Sequence, residues 1–360
     1  MKIAIVLGTR PEIIKMAPVI KELERRKTDF FILHSGQHYS YHLTRVFFEQ
    51  LRLPKAKYNL EVGSGSHAEE TGKMLIGIEK VLLKERPDAI MVEGDTNSVL
   101  AGALSAAKLG IKVGHVEAGL RSYDRSMPEE VNRILTDHLS DHLYAPTPKA
   151  REILLGEGID EEKIFVTGNT IVDAVHQNLE IAKEKGNTLS ALNLHPRDFI
   201  LVTLHRQENV DNRTRLASML EGLDKVAAEF KLTVVYPVHP RTQKRMEQFQ
   251  LAPQNLKLIK PLGYFDFLQL ESNAALVLTD SGGVQEEACI LGVPCVTLRD
   301  NTERPETLEV GANILAGASA DRILECCRIM LHRDKNWLNP FGDGRAAERI
   351  VKIVTESGHG

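Results

Sequence analysis

Short, almost uniformly apolar runs alternate with amphipathic helical stretches along nearly the whole chain, and few folds accept that alternation. IAIVL (3–7), FFILH (30–34), AIMVE (89–93), VGHVE (113–117) and IFVT (164–167) have strand length and no regular polar face. Between them, residues such as Ile13, Met16, Ala17, Ile20 and Leu23 recur at spacings of three and four, the period of a helix with one buried stripe. The pattern repeats in ILVTL (200–204), TVVYPV (233–238), LKLI (256–259), ALVLT (275–279) and CVTL (295–298). Strands apolar on both faces and separated by helices imply parallel sheets covered on both sides, an α/β protein.

At 360 residues the chain exceeds the ~250–300 at which a single core stops growing. The polar stretch 176–198 breaks the alternation and marks the division. We expect an N-terminal Rossmann-like domain over 1–170 and a C-terminal one over 185–340, facing each other across a cleft. The helical pattern that begins at Gly344 and runs toward the C-terminus fits either domain.

Composition excludes several classes of partner. A net charge of −4, with no basic run, gives no field for nucleic acid. No stretch reaches the ~20 apolar residues of a membrane span. Met1 leads straight into strand-like sequence, so a secretory leader is not expected. The four cysteines, Cys289, Cys295, Cys326 and Cys327, lack C-x-x-C spacing and nearby histidines, which suits small core residues in a reducing cytoplasm. Neither H-x-x-x-H nor a dense carboxylate pair occurs in the motifs, so no metal site is expected.

In open α/β sheets ligands lie beyond the carboxyl ends of strands, and the unusual residues cluster there. After strand 275–279, the turn Asp280-Ser281-Gly282-Gly283 leads to a helix predicted to begin near Val284. Backbone amides and the positive helix end favour a phosphate at such a turn. Glu287 lies one turn further, placed to accept hydrogen bonds from a ribose diol. The first turn, GTRPE (8–12), lacks G-x-G-x-x-G, which argues against a nicotinamide dinucleotide. It supplies cations instead: Arg10 at the strand mouth, and Lys15 one helical turn past Pro11. Gly8 would permit a close approach.

Acids gather at the other mouths of the first half: Asp95 in VEGDTNS, where Thr96 and Ser98 can cap a helix, Glu117 in VGHVEAGLRS, and Glu129 in MPEEVNR. In that last helix the pattern predicts a buried stripe of Val131, Ile134, Leu135 and Leu139, with Glu129, Asn132, Arg133 and Thr136 opposite. Glu129 alone is explained as a first-turn acid. Three carboxylates at separate mouths point instead to acid/base work. In the second half, His205-Arg206 and His239 end adjacent strands.

The motifs GTRPE, GDT, HVEAGLR, PEE-x-NR, TGNT-x-D, HR-x-EN, TDSGG-x-QEEA, TERPE and NPFGDG, in this order over nearly the whole chain, closely resemble the non-hydrolysing UDP-N-acetylglucosamine 2-epimerases. The resemblance implies a GT-B fold, with the C-terminal helix (344–358) packing back on the first domain. It implies interconversion of UDP-GlcNAc and UDP-ManNAc without metal or cofactor, by elimination and re-addition of UDP through a 2-acetamidoglucal. It further implies a homodimer and a place in polysaccharide biosynthesis.

By motif, Asp95, Glu117, Glu129 and His205 match the family's essential groups. Arg10, Lys15, Arg206 and His239 correspond to substrate contacts. Ser281, Gly282 and Gly283 match the diphosphate turn, Glu287 the ribose site and Arg304 a nucleotide contact, while Phe267 supports the uracil and Leu262 offers it backbone hydrogen bonds. Gln207 departs from the family's usual HRREN, and Ser40 replaces a glutamine near Gln37 and His38, in the region that regulated members use for an activating UDP-GlcNAc. A retaining GT-B glycosyltransferase, a hydrolysing 2-epimerase and a non-catalytic sugar-nucleotide sensor remain alternatives.

Overall fold

Strands without a polar face need cover on both sides, and the apolar runs form two parallel sheets flanked by helices. The structure, a computed structural model, describes residues 1–36 and 41–356. It has two compact units, Met1–Gln177 with the chain from Phe341 onward, and Asn178–Pro340.

The first unit contains β1 (Lys2–Leu7), α1 (Arg10–Arg25), β2 (Asp29–His34), α2 (Tyr41–Gln50), β3 (Tyr58–Asn59), α3 (His67–Glu85), β4 (Ala89–Glu93), α4 (Asn97–Lys108), β5 (Lys112–Val116), α5 (Pro128–Leu139), β6 (His142–Ala145), α6 (Pro148–Gly156), β7 (Ile164–Val166) and the start of α7 (Thr170–Glu184). Its strand order is β3-β2-β1-β4-β5-β6-β7, parallel throughout. β1 is central, and Ile3 through Leu7 are fully buried. One face is covered where Met74, Ile78 and Leu82 of α3 meet Val99, Ala103 and Ala106 of α4. A capping box starts α3: Glu69 N–H donates to Ser66 Oγ, and the Glu69 carboxylate accepts from Ser66 N–H at 3.0 Å. Such a cap is worth about 1 kcal/mol. The helix ends where Arg86 turns left-handed, at φ 47°.

The second unit contains α8 (Thr188–Ala191), β8 (Phe199–Thr203), α9 (Gln207–Val210), α10 (Arg213–Phe230), β9 (Thr233–Pro237), α11 (Pro240–Phe249), β10 (Leu256–Ile259), α12 (Tyr264–Asn273), β11 (Leu276–Thr279), α13 (Gly282–Ile290), β12 (Cys295–Thr297), α14 (Pro305–Glu309), β13 (Asn313–Leu315) and α15 (Ala320–Leu331). Its order is β10-β9-β8-β11-β12-β13, again all parallel. α16 (Ala346–Glu356) belongs to the first unit and packs on α1. The Asp173 carboxylate caps it, accepting from Ala346 N–H at 3.2 Å and Ala347 N–H at 3.0 Å.

The ten predicted strands form, and the three that the sequence pattern misses, β3, β6 and β13, are only two to four residues long. The stripe expected on α5 is a correction. Val131 and Leu135 are exposed, whereas Glu130, Asn132, Thr136 and Asp137 are buried. Polar side chains can be buried when they are met by partners; Glu130, Asn132 and Asp137 are so met, while the Thr136 hydroxyl has no hydrogen-bond partner among the described residues. Glu130 accepts from the Ser122 and Tyr123 amides, and Asp137 from the Gly119 amide and the Arg121 guanidinium. Strand order reverses between β1 and β4 in one sheet and between β8 and β11 in the other. Those switch points are where ligands bind in open α/β sheets.

Candidate active site

The β1–β4 switch point of the first unit holds most of the acids singled out from the sequence. α1 begins directly after the Gly8-Thr9 turn, with Pro11 in its first turn. One turn later, Lys15 extends back to the strand ends, bonding the Glu117 carboxylate with its Nζ 3.4 Å from Oε1 of Glu93. Glu93, the last residue of β4, is 2% exposed. Burial raises its carboxyl well above the usual range. Lys15 opposes that rise, while Glu117, Glu12 and Asp95 reinforce it. Glu117 follows β5 in a left-handed conformation, φ 69°, an uncommon state for a side chain with a Cβ and one that clusters at functional sites.

Glu12 folds back on its own turn, accepting from Gly8 N–H at 2.7 Å and Thr9 Oγ1 at 2.9 Å. Burial pushes its carboxyl up to about 7, against the nearby Thr96 hydroxyl and the hydrogen bonds from Thr9 and Gly8. Gly8 does not serve a ligand's approach as expected. A Cβ there would fall 1.9 Å from Ser98 Oγ, so the glycine lets two protein turns touch.

Asp95 pairs with Arg133, whose other nitrogen donates to Glu130 Oε2 at 2.8 Å. Asn132 Nδ2 donates to the Asp95 carbonyl at 2.9 Å. On the other side His115, fully buried, has one ring nitrogen 2.8 Å from the Gly94 carbonyl and the other 2.7 Å from Asp137. Burial tends to raise the Asp137 carboxyl, but His115 and Arg121 hold it below the usual range. The PEE-x-NR helix thus clamps the GDT turn. Thr96 is the N-cap of α4 without a side-chain capping bond, and Ser98 instead meets Ser35 at 2.7 Å, so neither hydroxyl caps as expected. Glu129 is exposed on the first turn of α5, and Arg10 is exposed with its guanidinium 5.4 Å from the Phe47 ring centre.

The β8–β11 switch point of the second unit is organised by Asp280, which has no solvent exposure. It accepts from His205 N–H at 3.0 Å, Arg206 N–H at 2.8 Å and Asn209 Nδ2 at 3.1 Å. Burial raises its carboxyl, but these bonds and the facing His205 ring bring it below the usual range. α13 starts at Gly282, two residues earlier than predicted, with Ser281 as N-cap. The Gly282 and Gly283 amides therefore lie in the first helical turn, where no intrahelical acceptor exists. A Cβ on Gly283 would meet nothing within 4 Å. These features suit the turn to an anion.

Around it, Glu287 accepts from Tyr264 Oη at 3.2 Å, and Arg304 Nε is 2.8 Å from Glu286. Glu303 takes two bonds from Arg299, which against the pull of burial bring it to about 2. His239 caps α11, and its ring centre is 6.2 Å from that of His205. Leu262 and Phe267 pack, half-buried, against the lower core formed by Leu270, Val277 and Ala288. Among the described residues no group of three or more His, Cys, Asp or Glu could hold a metal ion, and no helix is long and apolar enough to cross a membrane.

A family model described as UDP-N-acetylglucosamine 2-epimerase matches residues 21–355. The chain belongs to the UDP-N-acetylglucosamine 2-epimerase family. A relative of that name from Methanocaldococcus jannaschii is 57% identical, covering 99% of both chains. Its crystal structure in complex with UDP-GlcNAc and UDP overlays with a TM-score of 0.88, covering 99% of this chain and 100% of that one. A Pseudomonas aeruginosa relative named UDP-2,3-diacetamido-2,3-dideoxy-D-glucuronate 2-epimerase is 43% identical, over 99% of this chain and 100% of its own. Membership makes the chain an isomerase with the GT-B-like fold of those epimerases.

Within this 2-epimerase framework the sequence missed Glu12, Glu93, His115, Asp137 and Asp280. Glu93 had a signal, an acid closing an otherwise apolar strand. Asp280 had a weaker one, an acid directly before the Ser-Gly-Gly turn. Nothing local marks His115 and Asp137, which lie 22 residues apart and meet only in the fold.

Proposed function

We propose that this protein interconverts UDP-N-acetylglucosamine and UDP-N-acetylmannosamine. The observation that carries the reading is its likeness, along almost its whole length, to a protein of that name whose structure holds UDP-GlcNAc and UDP. The placement of acids and an anion-binding turn at the two switch points supports it.

The sugar's C2–H is not adjacent to a carbonyl, so simple deprotonation is unavailable. In the proposed route a base takes the C2 proton while the C1–O bond to UDP breaks, leaving 2-acetamidoglucal and UDP. UDP then re-adds at C1 as a proton reaches C2 from the opposite face. Asp95, Glu117 and Glu129 are the proposed acid/base and charge-stabilising carboxylates, with His205 beside them in role. Arg10, Lys15, Arg206 and His239 would contact substrate. Ser281, Gly282 and Gly283 would hold the diphosphate, Glu287 the ribose diol, Arg304 the nucleotide, and Phe267 and Leu262 the uracil. The reading needs no metal or cofactor, places the enzyme in the cytoplasm, where its four buried thiols stay reduced, and has it act as a homodimer.

Proton NMR of UDP-GlcNAc incubated with the protein in deuterium oxide tests it. The expected product is UDP-ManNAc deuterated at C2, with no acceptor present. Free N-acetylmannosamine would mean a hydrolysing enzyme, and binding without exchange would mean a sensor. The 43% identical relative motivates a second substrate, the diacetamido uronic acid nucleotide, and offering both sugars to one sample ranks them.

A further inference from the structure

Glu271 lies on α12 with no solvent exposure, and no N–H or O–H donor among the described residues reaches either of its oxygens. An ionised carboxylate in such a place is costly. The group within hydrogen-bonding reach is another carboxyl, Glu287 on α13. Burial and this neighbour both push Glu271 well above the usual range. Tyr264, also on α12, donates its hydroxyl to Glu287 Oε1 at 3.2 Å. On the facing β12 the Cys295 thiol is a further ionisable neighbour, itself buried. With no donor among the described residues on either Glu271 oxygen, a negative charge there is uncompensated, and two carboxyls in contact share a proton instead.

We propose that Glu271 is a positioning residue for Glu287: as a neutral acid it donates its proton to the Glu287 carboxylate and fixes it for the ribose hydroxyls of a nucleoside diphosphate. This rests on the nucleotide reading given above. An ionised carboxylate offers about four acceptor positions. Tyr264 takes one and the Glu271 O–H a second, and these two bonds fix how the carboxylate is turned. Ionised, Glu271 would repel Glu287 and supply no donor. The acid therefore sets the rotamer of Glu287.

Calorimetric titration with UDP and with 2′-deoxy-UDP tests the arrangement in the full chain, comparing wild type with Glu271→Gln and Glu271→Leu. Glutamine can still donate to Glu287, so UDP affinity should stay within about threefold of wild type. Leucine cannot, and UDP should weaken by about tenfold or more. Loss of the 2′-hydroxyl should cost wild type and Glu271→Gln about tenfold but the leucine variant under about threefold, because the missing bond acts through the ribose. Equal weakening of both ligands by Glu271→Leu would reduce Glu271 to a packing role and overturn the proposal. So would glutamine behaving like leucine. Carboxyl-carbon NMR of glutamate-labelled wild type, without ligand, gives a check that needs no variant to bind: the Glu271 signal should be that of a neutral acid at pH 7, and an ionised signal refutes the idea. If wild type bound no UDP at any concentration, the nucleotide reading would fall and this inference with it, whereas UDP binding with equal affinity in all three proteins would sink the inference alone.

Discussion

His205 is held by Asp280: the ring Nδ1 is 3.2 Å from Oδ1 of a carboxylate that has no solvent exposure. The same carboxylate accepts the His205 and Arg206 amides, so one side chain sets both the backbone and the ring of the candidate histidine. Asp280→Asn would turn an amide N–H toward backbone N–H groups, at a cost of about 1–3 kcal/mol. It would also remove the charge that orients the ring. We expect a lower melting temperature and a turnover reduced ~10–100-fold per folded molecule. Unchanged turnover would show that His205 works independently of Asp280.

Asp95→Asn, Glu117→Gln and Glu129→Gln should each fold and each lose at least ~100-fold in turnover. Their surroundings predict different side effects. Glu129 is exposed, so its variant should melt as wild type does. Asp95 and Glu117 are bonded to Arg133 and Lys15, and neutralising either leaves a cation without that partner, which thermal melts should register. Near-normal activity in any variant removes that residue from the catalytic set.

What could be read in advance follows from how local each signal is. Val, Ile and Leu runs announce buried parallel strands because both faces are covered, and Asp95 and Glu117 are recognisable because acids at strand ends have no core function. β3 was invisible because two residues carry no period. The α5 stripe misled because helical periodicity reports apolar faces, whereas here Glu130 and Asp137 are buried by partners as far as 22 residues away in sequence. Glu271 reads as one more surface acid until Glu287 is brought beside it.

UDP should raise the melting temperature, since a ligand that binds only the folded state stabilises it. Gly283→Val should abolish that shift without lowering the ligand-free melting temperature, because valine is no worse a helix former than glycine. The fold leaves open space where the new side chain would go, and that space is where a diphosphate would approach the first-turn amides. A shift that survives in the variant moves the diphosphate elsewhere.

Glu12 gives a pH-dependent stability with a definite sign. Its folded pKa of about 7 exceeds the ordinary 4.5, so the folded protein binds the extra proton between those values. The stability it contributes is complete below pH 4.5 and is lost as pH rises through 7, a change of roughly 3 kcal/mol. Glu12→Gln removes this dependence, so the melting temperature of the variant relative to wild type should climb between pH 5 and pH 8. A difference that stays flat over that range would mean that Glu12 is ionised throughout.

The departure at Gln207 bears on regulation. Gln207 opens α9, directly after Arg206, whose guanidinium is 4.0 Å from Glu303. Gln37, His38 and Ser40, the other positions matched to an activator site, lie outside the described residues. A neutral glutamine cannot present the charged fork an arginine offers to a phosphate. Loss of such a contact costs about 1.5–3 kcal/mol, which weakens an activator by one to two orders of magnitude. Of the cations that could replace it, Arg241 is held by Asp211 and Arg206 lies beside Glu303. Coupling between two sites is only as large as the activator's preference for the active conformation. Pure UDP-ManNAc should therefore be converted with little lag and a near-hyperbolic dependence on concentration, without added UDP-GlcNAc. A long lag in the progress curve, abolished by a trace of UDP-GlcNAc, would show that regulation survives through other contacts and would leave the catalytic assignment untouched.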